Sequence, residues 1–164
     1  LASHDNRVIT LKKINHPNII RLIDLKRTPH HCYLIMEFCN GGDLLGCLSK
    51  YKAIYHRAFP EEIIQYIMRQ VVSALNVMHS NKIIHRDLKL ENVLVIFNSE
   101  NDKNSLNMMR AITKLSDFGI STTLQASKNN KAFTVIGTKG YMEPQIQKNM
   151  EEHSRNVKMG LLVL

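Results

Sequence analysis

His85-Arg86-Asp87-Leu88-Lys89-Leu90-Glu91-Asn92 is the stretch on which the reading of this chain turns. It packs an acid, two bases and an amide between two apolar runs, Ile83-Ile84 and Val93 to Phe97, which read as short buried strands. Charges that needed only solvent would not cluster between such strands, and polar loops held by a rigid scaffold are where function concentrates. Thirty residues beyond Asp87 comes Asp117-Phe118-Gly119, again at the end of an apolar strand, Ile112 to Leu115. Gly permits an abrupt turn there, and Asp offers a hard oxygen ligand. Two loops of this kind can make a magnesium site.

Upstream, Val8, Leu11 and Ile14 recur at helical spacing until Asn15-His16-Pro17-Asn18 stops the pattern, as Pro stops helices. Ile19 to Asp24 and Cys32 to Phe38 are predicted to form two antiparallel strands joined by the polar turn Lys26 to His31, with Asn40-Gly41-Gly42 ending the second. Asp43 suits the cap of a short helix through Leu48. A longer helix is predicted from Pro60 to Ser80, with Glu61 and Glu62 near its positive end and Ile63, Ile64, Ile67, Val71, Leu75 and Met78 as its inner face. Ser99 to Ser105 is polar and reads as a flexible insertion. Strands followed by helices and short hairpins give an α+β fold class.

The chain has 164 residues, 44% hydrophobic and 22% charged, a composition that excludes a disordered tail, a collagenous repeat and a disulfide scaffold. Its apolar runs fall far short of the roughly 18 residues that a membrane-spanning helix needs. Cys32, Cys39 and Cys47 are an odd count with no CxxC pair and are read as free thiols of a cytoplasmic protein. Leu1-Ala2-Ser3-His4-Asp5 has neither an initiator Met nor a basic-then-apolar leader, so the chain is read as cut from something longer. The net charge of +8 suits phosphate-rich partners. The basic residues are dispersed without aromatic interleaving, so nucleic acid is not expected among them.

The two loops resemble the catalytic-loop and metal-loop signatures of the eukaryotic protein kinase family, in order and each after a strand. Asn15-His16-Pro17-Asn18-Ile19-Ile20 resembles the segment after that family's regulatory helix, and Met36-Glu37-Phe38-Cys39-Asn40-Gly41-Gly42-Asp43-Leu44 its interlobe hinge. Gly137-Thr138, Tyr141-Met142 and Pro144 resemble the end of its activation segment. The likeness runs from about residue 5 to 147. It implies part of a two-lobed kinase-like fold: the end of an N-lobe in 1–38, the hinge, catalytic loop and activation segment in 39–147, and a divergent tail in 148–164. The hinge, and the long stretch between Leu94 and Asp117, are similar to the ULK-type autophagy-initiating kinases.

The resemblance implies roles residue by residue. Asp87 would accept or orient the substrate hydroxyl proton, and Lys89 would neutralise charge on the transferred phosphoryl group. Asn92 and Asp117 would hold the Mg2+ ions that bridge the ATP phosphates. The backbones of Glu37 and Cys39 would hydrogen-bond adenine, Met36 would guard the pocket behind it and Leu94 would contact the purine from below. Met36 and Leu94 are equally readable as core, and Asp43 either reaches the ribose or caps its helix. Thr138 would bond to Asp87 and Lys89. Arg86 would pair with a phosphorylated activation loop, with Thr134 either the phosphosite of an upstream activating kinase or an exposed loop residue. The implied activity is transfer of the γ-phosphate of Mg-ATP to Ser/Thr hydroxyls of protein substrates.

Four departures support an alternative, a pseudokinase or truncated binding module. The glycine-rich loop and strand lysine of the family would lie upstream of Leu1. Arg7 stands where the resemblance calls for a glutamate, Glu143-Pro144-Gln145 replaces Ala-Pro-Glu, and Arg155 replaces an Asp that ties down the catalytic loop. Without the helix that should follow, the apolar surface of the 60–80 helix would stay exposed, and 164 residues are expected to fold poorly alone.

Overall fold

The computed structural model describes residues 14–117 together with Thr122, Thr123, Thr138 and Tyr141. The helix expected to end at Ile14, and Arg7, Phe118, Gly119, Thr134, Gly137, Met142, Pro144, Gln145, Arg155 and the 148–164 tail, lie outside the described residues. The rest is α+β. Strands β1 (Leu22–Arg27) and β2 (Cys32–Met36) form an antiparallel hairpin. After β3 (Gly42–Asp43) come helices α1 (Leu44–Tyr55) and α2 (Glu61–Ser80). Strand β4 (Ile83–Ile84), a 3-10 turn at Leu90–Asn92, β5 (Val93–Ile96), the short helix α3 (Glu100–Asn104), a second 3-10 turn at Met108–Arg110, β6 (Ile112–Leu115) and β7 (Thr122–Thr123) complete it. Strands β3, β5 and β6 make a three-stranded antiparallel sheet, and β4 pairs with β7.

The first strand was expected over Ile19 to Asp24 but lies three residues later. Asn18 to Ile20 are drawn to β6 instead: Leu115 N–H donates to Asn18 C=O at 2.9 Å and Ile20 N–H to Leu115 C=O at 2.9 Å. Ile19 and Ile20 are buried there, whereas Ile23, Tyr33 and Leu34 of the hairpin stay exposed, so the contact with β6 takes apolar surface out of water. The turn shrinks to Thr28–His31, closed by Thr28 N–H on His31 C=O at 2.8 Å. The second strand ends at Met36 rather than Phe38, whose side chain is 86% exposed.

Asp43 caps α1, its carboxylate accepting the Gly46 N–H at 2.7 Å. The helix runs to Tyr55 rather than stopping at Leu48. Cys47 and Tyr51, one turn apart, are both buried, and the Tyr51 ring packs on Tyr55 and Phe59 with centroids 4.4 and 4.9 Å away. His56 ends it in the left-handed region. In α2, Pro60 is the residue before the first turn rather than within it, and the buried stripe is Ile63, Ile67, Val71, Ala74 and Met78. Ile64 faces outward with Met68 and Val72, and Leu75 is partly buried.

The insertion read as flexible is folded. Ser99 caps α3, its hydroxyl accepting Asp102 N–H at 3.1 Å and donating to the Asp102 carboxylate at 2.8 Å. The buried Asp102 also receives the Asn107 amide at 3.0 Å, while Leu106, Met108 and Ala111 enter the core. Tyr55 donates its hydroxyl to Ser105 C=O at 2.8 Å, fastening the insertion to α1.

Gly41 is where the chain must pass close to β5. A Cβ there would sit 2.8 Å from Val95 C=O and 2.9 Å from the Phe97 ring. Since backbone must move to admit a methyl group, Gly41→Ala is expected to destabilise the fold by about 2 kcal/mol, read as a lowered denaturant midpoint at unchanged m-value. A change below a few tenths would show that the close approach is not real.

Candidate active site

Two strands aim the polar loop. Strand β4 ends at Ile84 and β5 begins at Val93, so residues 85–92 are held at both ends by paired strands. The buried His85 serves as the internal post. Its Nδ1 accepts the Asp87 N–H at 3.3 Å, so its Nε2 carries the proton that is donated to Ser116 C=O at 2.9 Å. Ser116 is tied to the loop a second time, with its N–H and hydroxyl both on Asn92 C=O at 2.9 and 3.1 Å. These bonds hold the residue before Asp117 against Asn92 and bring the ends of the two loops together. Arg86 at φ 71° and Asp117 at φ 59° both occupy left-handed backbone, an uncommon state for residues with side chains that recurs at functional sites.

The Asp87 carboxylate is 7% exposed and carries three donors. Thr138 donates its hydroxyl to Oδ1 at 2.6 Å; Lys89 Nζ lies 3.0 Å from Oδ2, and Asn92 Nδ2 donates to the same oxygen at 3.1 Å. Lys89 also donates to Thr138 Oγ1 at 2.8 Å, closing a ring of three side chains. Burial alone would push this carboxyl up, but the bonds from Thr138 and Lys89, with the charge of Lys89 and the Asn92 amide, outweigh it and hold the acid below its ordinary range. The same contact, bonding to Asp87, pushes Lys89 up against its partial desolvation. The outcome is an ionised carboxylate beside a firmly protonated amine, opening toward solvent at exposed Arg86 and Leu88.

Burial lowers the His85 pKa from about 6.5, although Ser116, Asp87 and Asp117 pull the other way. A histidine kept neutral in the fold binds fewer protons than in the unfolded chain, so its contribution is complete above pH 6.5 and is lost as pH falls through the folded value. Acidifying from pH 7.5 to 5.5 is therefore expected to lower the melting temperature more for the wild type than for His85→Asn, measured as the difference between two thermal-unfolding series. Equal slopes would remove His85 as the post.

Of the other expected residues, Asp43 caps its helix through Oδ1. Leu94 is half-buried in β5 against the core, and Met36 is 42% exposed at the end of β2. Glu37 turns the chain: its N–H bonds to Arg21 C=O at 3.0 Å, and its carboxylate takes Arg21 N–H at 2.7 Å and Lys114 Nζ at 2.9 Å. The Lys114 pair ties the segment after β2 to the strand that leads into Asp117. Burial pushes the Glu37 carboxyl up, but its bonds with Lys114 and Arg21 hold it low overall. Among the described residues, no hydrogen bond uses the Glu37 C=O or the Cys39 N–H, an acceptor and a donor two residues apart that suit the edge of a flat heterocycle. Cys39 and Cys47 are buried free thiols, each pushed up to about 11 by burial.

The donor set also fits a hard cation. Both side-chain bonds of Asn92 are made by its nitrogen, to Asp87 C=O at 2.8 Å and to the Asp87 carboxylate, which leaves the amide oxygen as the ligand-type atom. Asp117 is exposed and directly follows Ser116, whose hydroxyl bonds to the Asn92 C=O. Asn92 and Asp117 would supply oxygen donors of the hard type that magnesium takes, and no group of three or more His, Cys, Asp and Glu gathers among the described residues. Sequence reasoning assigned no role to His85, Ser116, Asn40 or Lys114. His85 stood in the quoted loop and had a signal; the other three become visible only through their partners.

Among the described residues no helix is long and apolar enough to cross a membrane. The protein kinase domain model matches residues 5–159. The chain is 39% identical over 141 residues to the serine/threonine-protein kinase ATG1c of Arabidopsis thaliana, covering 86% of this chain and 17% of that kinase. It is 37% identical over 136 residues to the human serine/threonine-protein kinase ULK1, covering 83% and 12% respectively. Calcium-dependent protein kinase 5 of Plasmodium berghei is 34% identical over 141 residues, 86% of this chain and 22% of that protein. The chain thus spans less than a quarter of the length of the curated relatives it matches. With the loop and hinge geometry above, these matches establish that the chain belongs to the protein kinase domain family.

Proposed function

We propose that the protein is an ATP- and Mg2+-dependent kinase acting on serine and threonine hydroxyls of protein substrates. The observation that carries the reading is the closed ring of Asp87, Lys89 and Thr138, which keeps a carboxylate ionised and an amine protonated around one opening. Asp87 would orient the acceptor hydroxyl and take its proton, and Lys89 would face the charge that grows on the phosphoryl oxygens. Thr138 holds the two at fixed separation, so the geometry is set before substrate arrives. Asn92 and Asp117 would hold Mg2+, which would supply positive charge against the phosphate oxygens. The Glu37 C=O and Cys39 N–H would receive the adenine edge, with Met36 guarding the pocket behind it and Leu94 contacting the purine from below. In this reading residues 1–38 close an N-terminal lobe, 39–147 carry the hinge and reaction loops, and the protein works in the cytoplasm.

Arg86, exposed beside the catalytic ring, would bind a phosphorylated activation segment, and Thr134 would be the acceptor for an upstream kinase. The alternative, a non-catalytic binding module, rests on the departures from the family pattern set out above, among them Arg7, Gln145 and Arg155. The test is incubation of the full-length product with γ-labelled ATP and a generic basic protein, with Mg2+ and with a chelator. Label on serine or threonine that needs Mg2+ is the expected result. No transfer, with nucleotide binding retained, would favour the binding module.

A further inference from the structure

We infer that Asn40 is the positioning residue that sets how far the nucleotide-binding segment stands from the catalytic sheet; this rests on the kinase reading above. In the register that pairs Gly42 with Val95 and Asp43 with Leu94, the residue opposite Phe97 is Asn40. A regular ladder would join the two main chains there. Instead the side chain of Asn40 takes both bonds: its Nδ2 donates to Phe97 C=O at 2.9 Å, and Phe97 N–H donates to its Oδ1 at 2.8 Å. A primary amide presents one donor and one acceptor in a plane, as a peptide does, so it substitutes for one rung of the sheet.

The substitution moves the main chain away from β5 by the length of a side chain while keeping it tethered. Phe97 is buried and β5 ends at Ile96, so its N–H and C=O would be orphaned without Asn40. Next door, Gly41 N–H donates to Val95 C=O at 2.9 Å, and the Phe97 ring lies against the face of Gly41 that a Cβ would fill. Asn40 and Gly41 therefore interlock with Phe97 from two sides. One residue earlier is Cys39, whose N–H makes no hydrogen bond among the described residues and is proposed to meet adenine. The reach of the Asn40 side chain fixes where that N–H stands. Only an amide of this length satisfies the arrangement. Asp keeps the acceptor for Phe97 N–H but turns a second oxygen on Phe97 C=O, and Ala supplies neither group.

The experiment uses the full-length protein, with dissociation constants for a fluorescent ATP analogue measured from pH 7.5 to 5.5 and steady-state KM for ATP and kcat at pH 7.5. Asn40→Asp is expected to weaken nucleotide binding and raise KM by about tenfold at pH 7.5 with kcat within about twofold. The ratio to wild type should narrow on acidification, because a protonated carboxyl regains the donor that Phe97 C=O needs. Asn40→Ala should weaken binding without that pH dependence. A role in packing alone would leave Asp equivalent to Asn at every pH, and that result overturns the proposal. Amide hydrogen exchange provides the arm that does not depend on activity: Phe97 N–H should be protected in the wild type and in Asn40→Asp, and open in Asn40→Ala. A Phe97 amide exchanging at the open-chain rate in the wild type overturns the clamp. A wild type that binds no nucleotide overturns the kinase reading, and exchange then still decides whether the clamp exists.

Discussion

Asp87→Asn in the full-length protein is expected to cut phosphoryl transfer by about a thousandfold while leaving the fold and the KM for ATP almost unchanged. Asn is isosteric, and the surroundings can absorb it. Its oxygen can face Lys89 Nζ and the Asn92 amide, the two donors now at 3.0 and 3.1 Å from Oδ2, while its NH2 turns to Thr138. Thr138 already receives Lys89 at 2.8 Å and has a second lone pair for the incoming N–H. What the variant lacks is a basic oxygen. The acceptor hydroxyl then has nothing to take its proton, and Lys89 loses the partner that holds its pKa up. Comparing kcat, KM and melting temperature in one preparation separates this from unfolding. More than a tenth of wild-type activity remaining would remove Asp87 from the role.

The site was legible because its chemistry lies within short stretches. Asp87, Lys89 and Asn92 fall inside eight residues, and Asp117 at a strand end, so two polar loops stood out between apolar runs, and the family resemblance then implied the role of each residue. Thr138 was reachable only through the family resemblance, because nothing local to it shows that 51 residues earlier a carboxylate waits for its hydroxyl. The hidden parts are those decided by long-range partners. The first strand slipped because Ile19 and Ile20 find β6, which comes some ninety residues later and is invisible to a hairpin pattern. Helix α1 outran its polar stretch Ser49 to Lys52 because Tyr51 buries against Phe59. The insertion looked flexible because its stabilising groups are polar: Ser99, Asp102 and Asn107 bond to one another, and a count of hydrophobic residues does not register that. Asn40 was read only as ending the second strand, and its bonds are to Phe97, 57 residues away.

Gln70→Leu is expected to destabilise the protein by about 3–5 kcal/mol, although the two side chains are close in volume. Gln70 lies on the half-buried flank of α2, where it meets the outer edge of β6. That edge is not paired with a strand: Thr113 turns its N–H to Gln70 Oε1 at 2.9 Å and its C=O to the Asn18 amide at 3.0 Å. The same Gln70 oxygen accepts Asn18 Nδ2 at 2.9 Å, and Gln70 Nε2 donates to Ala111 C=O at 3.2 Å. Two side-chain amides thus cover an edge that would otherwise expose a row of unpaired backbone groups. Leu leaves the Thr113 N–H and the Ala111 C=O buried and unmatched, and Asn18 with one partner fewer; each is costly because no water replaces what is lost. Gln70→Glu keeps the acceptor for Thr113 and Asn18 but sets a carboxylate oxygen against Ala111 C=O, so it should fall between Leu and wild type near neutral pH. Since β6 runs directly into Ser116 and Asp117, loosening this edge should also speed amide exchange at Leu115 and Ser116, whose N–H groups bond to Asn18 and Asn92. Denaturant midpoints give the first quantity and exchange rates the second. A Gln70→Leu protein less than about 1 kcal/mol below wild type would mean that the edge is satisfied in another way, and that the metal loop does not depend on α2 for its position.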